Sequence, residues 1–153
     1  MRQPLGLSAD ACAEVAERWL ARLRSSARSL VEAPTDPSRG SVRLEVREGL
    51  EVHLRTWPPY CVDPFHDHGG AAGAIGVLRG TITEHVAGDT PEAWCIVRRP
   101  AGTVWTFTPE LRHELQNLGR SLAVTVHADA PRRLRGRRFA LVAGGVLRPI
   151  RAT

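Results

Sequence analysis

Two repeat lengths divide the chain. Between residues 8 and 32, Ala16, Leu20, Leu23, Ala27 and Leu30 recur every three or four positions with arginines between them. That spacing predicts one amphipathic helix whose apolar stripe covers a core face. Ser8 or Asp10 can cap its start, and Pro34 and Pro37 block its continuation. After "PTDPSRG" the pattern shortens to runs of Val, Leu, Ile, Trp and Thr broken by Gly, Pro and Asp. These runs predict strands at 41–47, 50–57, 74–79, 80–86, 93–98, 103–108, 113–116, 121–128 and 138–149, the last folded back at Gly144–Gly145. Many short strands at this spacing predict a sandwich or barrel and not a parallel α/β sheet. The expected architecture is a small, mainly β barrel over about 41–150 with a helical cover over 8–32, one domain across residues 1–153.

Composition changes this picture little. With 153 residues, 42% of them hydrophobic and 24% charged, the chain suits one moderate core. No apolar run approaches the roughly 20 residues of a membrane span. The stretch MRQPLGLSADACAEV has no apolar leader pattern. Three cysteines (Cys12, Cys61, Cys95) are an odd number without metal-type spacing, so a reduced, cytoplasmic protein is expected, with no membrane partner. The net charge is +5, and every basic residue is arginine. The one dense basic run, Arg132 to Arg138, reads either as a nucleic-acid patch or as a solvated loop between strands. No aromatic residues interleave with it, so no nucleic-acid partner is expected.

The chemistry is concentrated in the histidines. In extended backbone, residues two apart face the same side, so His66 and His68 of "PFHDHGG" project together while Asp67 turns away. Two imidazoles on one side can begin a transition-metal site, which then needs a further ligand from elsewhere. Taken alone, the pair reads equally well as polar loop histidines. In "LRHELQNLGRSLAVTVHADAP", His113 starts one predicted strand and His127 lies near the end of the next. Adjacent antiparallel strands of a barrel would bring the two onto one inner wall.

Together these segments are similar to the thiol dioxygenases of the cupin superfamily, the cysteine dioxygenase group. The resemblance covers about residues 41–131 and is carried in order by Trp57, Pro64, His66, His68, Gly80, His113, Asn117 and His127. It implies a cupin fold and a non-heme Fe(II) held by His66, His68 and His113. His127 would be a histidine behind the metal, with Thr125 supplying a hydroxyl where the family has a serine. The resemblance also implies a small-molecule thiol and O2 as partners and a sulfinate as product. By the same resemblance Arg43, with Arg55 as an alternative or companion, binds a substrate carboxylate, and Trp57 lines the pocket. No glutamate follows the histidine pair, unlike in many cupins. Three neutral imidazoles leave the metal more positive and suited to an anionic thiolate.

The chain departs from that family at particular positions. Gly73 stands where mammalian-type members have a crosslinking cysteine, and Asp129 where they have a tyrosine. An acid at 129 is expected to make the pocket more polar and to admit a larger thiol, such as a thiol-imidazole amino acid. The competing expectation is a metal-binding cupin sensor or ligand-binding protein without oxygenase activity. A monomer or weak homodimer is expected. His53 is expected to be a polar wall residue and His85 a surface one.

Overall fold

The computed structural model describes residues 7–25, 40–131 and 136–150. Helix α1 spans Ala9–Ser25. Ser8 caps it, its Oγ accepting from the Ala11 amide at 3.2 Å, and Asp10 falls inside the first turn. The expected continuation to residue 32 lies outside the described residues, as does most of the basic run.

Eleven strands follow among the described residues: β1 (Ser41–Arg47), β2 (Leu50–Trp57), β3 (Val62–His66), β4 (Ala72–Arg79), β5 (Thr81–Val86), β6 (Cys95–Pro100), β7 (Val104–Phe107), β8 (His113–Gln116), β9 (Ala123–Ala130), β10 (Phe139–Val142) and β11 (Val146–Pro149). A five-stranded sheet runs β1-β2-β9-β4-β7, and a four-stranded sheet runs β3-β8-β5-β6. The hairpin β10–β11 joins at Gly144 and Gly145, both with positive φ. The pairing is antiparallel throughout, and the two main sheets are not hydrogen-bonded into a closed barrel. The architecture is an open jelly roll.

Two connections shape the interior, and the second corrects the expectation that His113 and His127 share one wall. Residues 74–86 do not form a hairpin within one sheet, because β4 belongs to the five-stranded sheet and β5 to the four-stranded one. Gly80, at φ 77°, turns the chain between them, and a Cβ there would stand 2.8 Å from that of Ala123. Nor are β8 and β9 paired neighbours, so His113 and His127 reach the interior from opposite sheets.

Alternation in the five-stranded sheet sorts its side chains into two layers. Leu50, Val52, Leu54, Ala74, Val126 and Ala128 pack against Cys12, Val15, Ala16, Leu20 and Leu23 of α1. The opposite face contributes Trp57, Ile75, Val77, Trp105, Phe107 and Ala123, which meet Ile82 and Leu115 of the four-stranded sheet. A shift of register between Arg43 and Glu45 turns Glu45 to the helix side, where it accepts from Trp19 Nε1 at 2.8 Å. No described helix is long and apolar enough to cross a membrane.

Candidate metal centre

β3 was not legible as a strand. Pro64 cannot donate to a ladder and is tolerated because β3 is an edge strand, and the register slips between Asp63 and His66. That slip sets His66 opposite His113 of β8. Beyond the strand, Gly69 and Gly70 take φ of 62° and 86° and carry the chain round so that His68 faces the same point. One ring nitrogen from each of His66, His68 and His113 lies within 4.8 Å of the others, and all three side chains are buried.

Each imidazole is fixed from behind. His66 Nδ1 donates to the Pro64 carbonyl at 2.8 Å, His68 Nδ1 to Asp129 Oδ1 at 3.3 Å, and His113 Nδ1 to Glu84 Oε1 at 2.7 Å. Carbonyl and carboxylate oxygens accept, so the hydrogens are assigned to Nδ1 and the Nε2 lone pairs face inward. His68 Nε2 and His113 Nε2 are then two acceptors 2.9 Å apart. A shared cation turns that repulsion into attraction. Two nitrogens at right angles about one ion, each about 2.0–2.1 Å from it, would be about 3 Å apart. The donor set therefore fits a divalent transition metal.

The surroundings keep His66 neutral and fix the groups behind the rings. Burial, reinforced by His113, pushes His66 down to about 3. Burial alone would raise the Glu84 carboxyl, but His113 and Arg99 outweigh it and hold it below the usual range. Asp63 also feels burial, offset by His66 and by the guanidiniums of Arg138 and Arg55, which hold it down at about 2. Phe107 stacks on His68 with centroids 4.0 Å apart. A Cβ at Gly73 would fall 2.5 Å from Phe107 Cζ and 2.2 Å from the Ala128 carbonyl oxygen, so the position has no room for a side chain.

The other expected residues divide into three groups. Thr125 Oγ1 accepts from Trp57 Nε1 at 2.8 Å and bonds His127 Nε2 at 2.9 Å, while the rings of Trp57 and His127 stack at 6.3 Å. All three are buried. Asp129 stands behind His68 and serves as that ring's partner. The arginines differ: Arg43 pairs with the buried Glu51 at 3.0 Å and has 56% of its side chain exposed, whereas Arg55 is 25% exposed and reaches Asp63 at 3.4 Å. His53 also meets Glu51, at 3.2 Å. His85 is half-buried and lines a groove of about 700 Å³ with Phe65, Trp94 and Phe139.

Glu84, Asp63, Arg99 and Arg138 were missed. A signal existed for Glu84: in "TITEHV" it shares the inward side with Ile82, and a carboxylate on a core face calls for a partner. Nothing local identified that partner as a histidine from β8.

Asn117 anchors the turn before β9. Its Nδ2 donates to the carbonyls of Trp57, Pro58 and Ser121, and its Oδ1 accepts from the Gly119 amide.

Neither a family model nor a curated relative matches the sequence. Solved structures do. A Klebsiella pneumoniae protein with a double-stranded β-helix domain aligns at 14% identity over 78% of this chain and 90% of that one, with a TM-score of 0.55. The cupin domain of Schizosaccharomyces pombe Cnp3 aligns at 15% identity over 62% and 66%, with a TM-score of 0.53. The fold is a cupin fold. An oxalate oxidase aligns at 21% identity over 68% of this chain and 57% of its own, with a TM-score of 0.56. This chain thus spans little more than half of that enzyme's length. Within the cupin fold, the three imidazoles are a cluster able to hold a metal ion.

Proposed function

We propose that the protein is a non-heme iron thiol dioxygenase acting on a small-molecule thiol, with Fe(II) held by His66, His68 and His113. The observation that carries the reading is the all-imidazole donor set, its Nε2 atoms turned inward by acceptors behind each ring. Among the described residues the set has no carboxylate ligand, and this suits a cation meant to take up an anionic sulfur. Iron bound there supplies the sulfur–oxygen chemistry, in which a thiolate and both atoms of O2 become a sulfinate with sulfur as the only electron source.

The chain's own groups do the rest. His66 stays neutral, and all three rings are held in orientation by the acceptors behind them. The Trp57 indole donates to Thr125, so the Thr125 hydroxyl hydrogen is free to point at His127 Nε2 and set that ring's rotation. Phe107 walls off the His68 side and helps exclude water. Two guanidiniums, Arg55 and Arg138, converge on the single carboxylate of Asp63 at 3.4 and 2.9 Å. Asp63 also lies 4.0 Å from His66 Nδ1, so both guanidiniums stand on the His66 side of the cluster, and their forked donors favour a thiol carrying a carboxylate. Arg43, already matched by Glu51, is the weaker partner for it. With Asp129 committed to His68, the case for a thiol-imidazole substrate loses its motive.

The test is oxygen uptake by Fe(II)-loaded protein across cysteine, cysteamine, 3-mercaptopropionate, homocysteine and an imidazole-thiol, with sulfinate confirmed by mass. Uptake with a carboxylate-bearing thiol, lost in His113→Ala, is the expected result. Stoichiometric iron with no uptake on any thiol moves the reading to a metal-binding sensor or another cupin reaction.

A further inference from the structure

Glu84 is the middle of a bridge that runs from the surface to the three imidazoles. Arg99, 22% exposed, donates to Glu84 Oε2 through Nε at 3.0 Å and Nη2 at 2.7 Å. Oε1 accepts from His113 Nδ1 at 2.7 Å and from Trp105 Nε1 at 3.2 Å. The guanidinium also lies 4.7 Å over the Trp105 ring, which holds it in place. One carboxylate oxygen thus serves a cation on the rim, and the other serves a ring that faces the candidate metal.

These demands compete. Charge drawn toward Oε2 by Arg99 makes Oε1 a poorer acceptor for the His113 proton. An imidazole with a poorer acceptor behind it is a poorer donor to a metal. The other two rings are held differently, His66 by a backbone carbonyl and His68 by Asp129 at 3.3 Å. We infer that Arg99, two side chains away from the metal position, is a positioning residue that sets how much negative charge Glu84 lends to His113, and so how strongly the three-histidine site donates electrons. This assignment rests on the metal-centre reading above.

The experiment compares wild type with Glu84→Gln, Arg99→Met and Arg99→Lys. Co²⁺ affinity is measured by competition with a chromophoric chelator, and the Fe(III)/Fe(II) midpoint potential is measured on the iron-loaded protein. Glu84→Gln is expected to weaken Co²⁺ binding by about 10- to 100-fold and to raise the potential, because a lost negative charge disfavours the ferric ion. Arg99→Met is expected to lower the potential, and Arg99→Lys to bring it back toward wild type. A purely structural role would move both variants the same way, by loosening His113.

Shifts of the same sign, or a folded Arg99→Met with an unchanged potential, would overturn the assignment. If Glu84→Gln does not fold, the two Arg99 variants decide alone: a fall with Met and recovery with Lys supports it, and any other pattern overturns it. A wild type that binds neither Co²⁺ nor iron removes the metal-centre reading, and this assignment with it. Normal wild-type binding with unresponsive variants removes this assignment only.

Discussion

The two faces of the five-stranded sheet are built from alternate residues of the same strands, yet they are held by different physics. Toward α1, Leu50, Val52 and Leu54 of β2 and Val126 and Ala128 of β9 bury hydrocarbon against Leu20 and Leu23. Toward the other sheet, the same two strands present Glu51, Trp57, Thr125, His127 and Asp129, all buried. Among the described residues no buried side-chain nitrogen or oxygen lacks a hydrogen-bond partner. The helix side is stabilised by area removed from water, which is not directional and tolerates swaps that conserve volume. The inner side is stabilised by directed pairs, in which deleting one group strands another.

This contrast is open to test. The largest stability loss is expected on the apolar side: Leu20→Ala should cost about 2–5 kcal/mol in urea unfolding, with Co²⁺ affinity unchanged. A weakened metal site in that variant would show that the faces are not independent. On the inner side, Gly73→Cys forces a side chain against Phe107 and the Ala128 carbonyl. It should cost about 1–3 kcal/mol and also loosen Co²⁺ binding, because Phe107 rests on His68.

Thr125→Val removes the hydroxyl that joins Trp57 to His127. A loss of about 1–3 kcal/mol is expected in the same unfolding assay, with metal affinity retained and thiol-dependent oxygen uptake reduced. The smallest effect belongs to Cys12 on the helix side, whose thiol burial pushes up to about 11, with Asp129 adding to the shift. An acid with a raised folded-state value stabilises below its unfolded value and loses that contribution as pH climbs. Thermal stability should therefore fall between pH 9 and 11, and Cys12→Ala should flatten that fall.

Much of this arrangement was legible in the sequence, but unevenly. The bounds of β1 and β2 follow directly from alternation, since Val, Leu and Trp repeat there between clear turn residues, and in β8 His113 and Leu115 take the two inward positions. Ser8, one of the two residues expected to cap the helix, does so, and Pro34 and Pro37 lie outside the described residues. β3 stayed hidden because Asp63 and Pro64 mask a strand whose register also slips. Which strands share a sheet was not legible either, because crossing from β4 to β5 needs only one glycine, as a hairpin would.

The site shows the same limit. The convergence of His66, His68 and His113 could be anticipated from spacing together with a family resemblance. Their supports could not, because Glu84 and Asp129 reach them from β5 and β9 across long sequence separations. The departure at Asp129 was visible, but its meaning depended on which ring stood in front of it.

Asp67, which points away from the imidazoles, has a separate consequence. Its carboxylate accepts from the Arg137 amide and side chain, both at 2.7 Å, while its own amide donates to the Arg137 carbonyl at 3.0 Å. Gly136 approaches so closely that a Cβ there would overlap the Asp67 carbonyl oxygen. The residue between two candidate ligands is thereby buckled to a segment some seventy positions later. For a protein engineer, the C-terminal hairpin is a buttress and not a spare handle. A break in the chain between Ala130 and Gly136 would leave the loop of His66 and His68 joined to this support by those contacts alone, even with every histidine still in the sequence.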